Sequence, residues 1–241
     1  MARDTRALEI SKERMHPSGL STEVTDRLLA RRGRVHIYDR FDPTRTALVV
    51  IDMQNAFCKP GAPVEVPESR QIVPNINRLA EGLRQLGGDV IWIVTEIRQN
   101  HGKTDWENFT SHIIADQVRQ RTIEYMAPGA EGTTLWSALD ARDSDIHMVK
   151  NRYSCLAPGA SPLERTLRSR GIDTLLITGT KTNVCCEATA RSAWDMDFNV
   201  VMVSDCCAAL SDQEHLATLN SIIQQFGDIL TTDEVLQRLQ V

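Results

Sequence analysis

From Thr46 onward, short β-branched runs alternate with amphipathic stripes, and this alternation restricts the fold more than any other feature. Ala47–Ile51 (ALVVI) is apolar without interruption, as a strand covered on both faces must be. Ile72, Ile76, Leu79, Leu83 and Leu86 then recur with a helical period up to Gly87-Gly88, which predicts a helix laid against a sheet. Further strands are expected at Val90–Val94, Ile146–Val149, Thr174–Thr178, Val200–Ser204 and Asp228–Thr231. Helices are expected around Leu163–Leu167, Thr189–Met196, Gln213–Gln225 and Asp233–Leu239. Strands joined by right-handed helical crossovers give an α/β fold, a single three-layer domain with a mainly parallel sheet and helices on both faces. That domain takes residues 46–241. Residues 96–144, mixed in pattern, form an excursion near the site. Residues 1–45 form a polar arm with a short helix over Ser21–Arg32, and are expected either to be disordered or to strap a neighbouring subunit.

Composition narrows the function. The 27 Lys+Arg against 32 Asp+Glu give a net charge of −5, and without a basic face neither nucleic acid nor an anionic membrane surface is an expected partner. No stretch of about eighteen apolar residues is present to span a bilayer. The opening MARDTRALEISKERMH lacks the apolar core of a secretory signal, so a cytoplasmic protein is expected. Its six cysteines, Cys58, Cys155, Cys185/Cys186 and Cys206/Cys207, are then expected to be reduced thiols, and no CxxC spacing suggests zinc.

In a parallel sheet the chemistry lies beyond the carboxyl ends of the strands. Three of those ends deliver an acid (Asp52), an amine (Lys150) and a thiol (Cys185 or Cys186) to one rim. Such a trio suits thiol nucleophilic catalysis. A helix start and a neighbouring ammonium would lower the thiol pKa from about 8.5, and the carboxylate could take its proton.

The segments ALVVIDMQNAF, VKNRYS and ITGTKTNVCCEATARSA resemble the isochorismatase-like cysteine hydrolase family over about residues 45–240. The resemblance implies a six-stranded sheet and a catalytic triad of Asp52, Lys150 and Cys185, leaving Cys186 as a core thiol. It also implies a cis peptide at Thr180–Lys181, an oxyanion hole made by the Lys181 and Cys185 N–H groups, and a homo-oligomer, dimer or tetramer. Residues 95–101 lack the Asp/His/His cluster of the metal-dependent relatives, so neither a metal nor another cofactor is expected.

Within the family the chain is similar to the ureido- and carbamoyl-amide hydrolases, which implies ammonia release from a small linear biuret- or triuret-like compound. Alternatives are a ureidoacrylate-type or N-carbamoyl amino acid substrate, or a catalytically silent binding protein. Substrate-binding residues expected on this ground are Gln225, ten residues after His215, and Phe57, an aromatic lid position. Arg152, Glu96 and Gln54 are further candidates, to grip a second carbonyl, bind an amide NH₂, or brace Asp52. Trp106 is the tryptophan best placed for a lid.

Overall fold

The computed structural model describes residues 14–240. In chain order these form α1 (Thr22–Arg32), β1 (Thr46–Ile51), α2 (Asn55–Cys58), α3 (Val73–Gln85), β2 (Asp89–Thr95), β3 (Gln99–Asn100) and β4 (Lys103–Thr104). Next come α4 (Glu107–His112), α5 (Asp116–Tyr125), β5 (Ile146–Lys150), α6 (Leu163–Ser169), β6 (Thr174–Thr180) and α7 (Glu187–Asp195). The chain closes with β7 (Asn199–Ala208), α8 (Asp212–Gln225), β8 (Asp228–Leu230) and α9 (Thr232–Leu239).

Six strands pair in the order β5-β2-β1-β6-β7-β8, every neighbour parallel. The chain builds outward from β1 through β2 to β5, then crosses to β6 on the other side of β1. The switch point of the sheet therefore lies between β1 and β6, where a ligand crevice forms in folds of this type. Along β1 the side chains alternate between two cores. Ala47, Val49 and Ile51 meet α6, α7 and α8, whereas Leu48 and Val50 meet α3 and α9. Burial on both faces explains why this strand reads as a continuous apolar run.

At the switch point the backbones come unusually close. Gly179 has φ +108°, and a Cβ there would lie 2.0 Å from the Ile51 carbonyl oxygen. Only glycine fits that approach, and it seats the end of β6 directly against the residue before Asp52.

The described part of the arm is ordered against its own domain. From Arg14 onward it straps the protein's own domain. Leu28 of α1 is almost fully buried in the core against α8, a burial that contributes roughly 1.5–3 kcal/mol. The His36 ring and the Ile37 N–H bind the buried Asp228 carboxylate at 2.9 and 2.8 Å. His16 inserts beside β7, with Nδ1 2.7 Å from Asp212 Oδ1 and Nε2 3.0 Å from the Ala209 carbonyl. Polar composition hid this because the arm is held by hydrogen bonds and a few apolar anchors. Residues 1–13 lie outside the described part of the chain.

Candidate active site

Asp52, Lys150 and the 182–186 turn all lie at the carboxyl end of the sheet. Asp52 follows β1 in a left-handed conformation, φ 56°, rare for a residue with a Cβ and concentrated at functional sites. Lys150 ends β5, which is separated from β1 by β2. Two strand spacings amount to about 9.5 Å, and the long lysine side chain is what crosses them. Its Nζ reaches 2.9 Å from Asp52 Oδ2, with both side chains fully buried.

Thr95, the last residue of the intervening β2, fills the gap. Lys150 Nζ donates to Thr95 Oγ1 at 2.6 Å, and that hydroxyl donates to Asp52 Oδ1 at 2.7 Å. Sequence reasoning missed Thr95; the available signal was a polar residue closing an apolar strand at the rim. Lys150 also donates to the Arg152 carbonyl at 3.1 Å and lies 3.6 Å from Cys185 Sγ. Asp52 Oδ2 receives no aligned hydrogen bond despite the nearby ammonium. A buried carboxylate oxygen with a free lone pair therefore faces the ammonium-bound thiol.

The thiol stands on a π-helical turn, Thr182–Cys186, that feeds α7. Such turns occur frequently at functional sites. The Thr180–Lys181 bond before it is cis. His215 Nδ1 lies 2.9 Å from Thr182 Oγ1 and pins the turn to α8. The His215 ring stacks on His16 of the arm, with centroids 4.8 Å apart. Cys186 turns away, its Sγ 3.6 Å from the Thr178 carbonyl in the core.

The electrostatics correct one expectation. Burial and the adjacent Asp52 carboxylate hold the Cys185 thiol well above its ordinary pKa, and Lys150 only partly offsets them. Burial also works against the Lys150 ammonium, but the adjacent Asp52 carboxylate more than compensates, so its pKa is raised.

Cys185, Lys150, Thr95 and Lys181 close the floor of a cavity of about 630 Å³. Phe57 and Trp106, expected as lid positions, both line it. Trp106 packs on Phe109 and Tyr153, with centroids 4.7 and 4.5 Å away.

Three expected contacts, those of Gln225, Arg152 and Glu96, are not made, whereas Gln54 braces Asp52 as expected. Gln225 ends α8 at the opposite edge of the sheet and borders a separate cavity with Arg31, Arg32 and Trp194. A helix that starts at the strand carboxyl ends carries its last residue away from them, which spacing from His215 alone could not reveal. The Arg152 guanidinium donates to the Asp105 and Asn151 carbonyls and lies 5.7 Å from the Trp106 ring centroid. It braces the cavity wall from outside. Glu96 pairs with Arg98 at 3.0 Å and borders a second cavity behind Lys150. Gln54 is fully buried, donating to the Thr95 and Gly132 carbonyls and accepting from the Thr95 N–H at 2.6 Å. It holds Thr95, and through it Asp52, rather than a substrate. No cluster of three metal-ligating side chains occurs among the described residues.

The Isochorismatase domain matches residues 46–234, most of the chain. The chain belongs to the isochorismatase family. The ureidoacrylate amidohydrolase RutB of Methylobacterium radiotolerans is 30% identical over 77% of this chain and 76% of its own. A "probable inactive nicotinamidase" of Arabidopsis thaliana is 34% identical over 72% and 86%. Among solved structures, a cysteine hydrolase from Pseudomonas syringae pv. phaseolicola superposes with a TM-score of 0.73, at 28% identity over 86% of this chain and 97% of that one. Fold and family of this isochorismatase-family hydrolase are therefore those its strand-end motifs implied. No helix among the described residues is long and apolar enough to cross a membrane.

Proposed function

We propose that this isochorismatase-family protein is a metal-independent cysteine amidohydrolase that releases ammonia from a small ureido or carbamoyl amide. One observation carries the reading: Asp52 Oδ2 is buried, lacks an aligned donor, and sits beside the ammonium that touches Cys185 Sγ. An oxygen so placed can take the thiol proton as the sulfur attacks a carbonyl carbon. Lys150 keeps positive charge next to both the carboxylate and the forming thiolate, which lowers the barrier to that transfer. The Lys181 and Cys185 N–H groups hold the oxyanion. Asp52 then protonates the departing ammonia, activates water against the thioester, and returns a proton to sulfur.

The substrate class draws on RutB, whose name specifies a ureidoacrylate. Biuret and triuret have lost Gln225 and Arg152, the side chains that were to read their second carbonyl. Arg152 was equally the expected grip for the carboxylate of a ureidoacrylate-type acid, so a compound with a single ureido or carbamoyl carbonyl is the reading retained.

The test is an ammonia-release assay on ureido, carbamoyl and nicotinamide substrates. Cys185→Ser should lose on the order of 10⁴-fold or more, while Cys186→Ser retains most activity. EDTA should have no effect. Iodoacetamide should block turnover by modifying Cys185, the one thiol lining the cavity among the described residues. An active Cys185→Ser protein, or activity lost to EDTA and restored by zinc, defeats the proposal. Ligand binding without any turnover would place the chain among silent members.

A further inference from the structure

The walls of the cavity carry information that the reacting groups do not. Above Cys185 they are built from Val64, Phe109, Ile114, Val118, Met126 and Leu210, together with Phe57 and Trp106. Polar side chains on the lining are confined to the floor, Glu65, Lys181 and the edge of Tyr153. Glu65 is already committed, accepting from the Gly61 N–H at 2.7 Å and pairing with Arg70 at 2.9 Å. A ureide barely larger than urea would leave most of this space unfilled. A cavity of about 630 Å³ is instead within the range that encloses a drug-sized ligand, with apolar walls and a few convergent polar groups.

We infer that the substrate is an apolar-substituted amide, R–CO–NH₂, in which R is an alkyl or aryl group joined through carbon or, in the ureido case, through nitrogen. The inference rests on the amidohydrolase reading and specifies its substrate. The amide carbon meets Cys185 Sγ beside Lys150, and its carbonyl oxygen accepts from the Lys181 N–H. R lies against the aromatic cluster of Trp106, Phe109 and Tyr153, whose rings stand 4.5 to 5.9 Å apart. In the reaction the C–N bond breaks as a C–S bond forms, and the thiol proton leaves with ammonia by way of Asp52. Water then cleaves the thioester to R–COOH, a carbamic acid when R is joined through nitrogen, and the sulfur regains a proton. Lys181 is the opposing consideration. It lines the cavity and makes no ion pair among the described residues, so a carboxylated ureide is the rival the experiment must include.

The experiment measures kcat/KM by ammonia release for methyl-, butyl-, hexyl- and benzylurea, the matching carboxamides, biuret and N-carbamoylglycine. Burial of each methylene should raise kcat/KM about three- to fourfold, so full burial of the five added methylenes should make hexylurea exceed methylurea by roughly 240- to 1,000-fold. Ile113, largely exposed at the mouth, can be changed without harm to the fold. Ile113→Asn should lower the hexyl-to-methyl ratio about threefold or more. In parallel, alkylation of Cys185 by N-hexyliodoacetamide should outpace iodoacetamide tenfold or more, each rate divided by that with free cysteine.

A rising trend among carboxamides with inert ureas would sink the ureido assignment and leave this inference standing. No turnover of any amide, with alkylation still rising with chain length, would sink the hydrolase reading alone. Rates flat with chain length in both arms, or biuret or N-carbamoylglycine faster than hexylurea, would overturn the inference.

Discussion

Removing Lys150 tests the electrostatic design of the site. Lys150 and Asp52 are both fully buried, 2.9 Å apart, and Asp52 has no other ion-pair partner among the described residues. Lys150→Met keeps the volume and removes the charge, leaving the carboxylate alone in the interior. Breaking one side of a buried pair typically costs 3–5 kcal/mol, whereas removing both sides together is often near neutral. Lys150→Met and Asp52→Asn should each lower stability by about 3–5 kcal/mol. At an m-value of about 3 kcal/mol per molar, that is a fall of roughly 1–1.7 M in the urea midpoint. The double variant should recover most of the loss while remaining inactive.

A pH series adds a second check. Unfolded lysine titrates near 10.4, and Lys150 is raised above that in the fold. The native state therefore holds the proton longer, so this contribution is complete below about pH 10.4 and is lost as pH rises beyond it. Cys185, also raised, acts in the same direction from its own unfolded value near 8.5. The wild-type midpoint should fall at alkaline pH, and the double variant should show a smaller fall, left by the buried thiols Cys58, Cys155, Cys185, Cys186 and Cys206, whose pKa values burial also raises. Single losses that simply add in the double variant would refute the coupled-pair account.

Thr95→Val deletes the hydroxyl shared by Lys150 and Asp52, and loss of that charge-assisted hydrogen bond should cost about 1.5–3 kcal/mol, with kcat reduced and both effects restored by Thr95→Ser; wild-type stability and kcat in the valine variant would remove Thr95 from the site. His215, buried and next to His16, is held down to about 3. Since unfolded histidine titrates near 6.5, protein stability should fall as pH drops from about 6.5 toward 3, and a His215→Gln variant with an unchanged acid slope would contradict this. Gln225→Ala, at the far edge of the sheet, should leave kcat/KM within about twofold; a selective loss on ureides would restore it to the substrate site.

The parts of this molecule that were legible in the sequence are those written in local pattern. ALVVI, TLLIT and the 72–86 stripe each carry the burial of their own element, and a parallel sheet follows from their order. Asp52, Lys150 and Cys185 were legible because strand ends of such a sheet converge whatever the intervening residues do. Gln225 was misjudged because a fixed spacing along a helix does not say which end of the sheet the helix reaches. Arg152 and Glu96 were misjudged because a charge at the rim can turn outward to a backbone carbonyl or a neighbouring arginine. The hairpin β3–β4 and the strap from Arg14 onward left no periodic trace, since each is fixed by partners remote in the chain. The thiol pKa was expected to fall because a neighbouring cation is visible in sequence, whereas depth of burial is not.

The order in which the chain delivers its reacting groups has a consequence for biogenesis. Asp52 arrives with the first strand, Lys150 with the fifth and Cys185 only after the sixth, yet β1 must pair with β6 across more than a hundred intervening residues. Until that pairing closes, the nascent polypeptide carries its thiol well away from the carboxylate that would activate it. Such distant pairings are slow to form. The reactive centre is thus switched on by completion of the central sheet, and regain of catalysis during refolding should trail the recovery of helical signal.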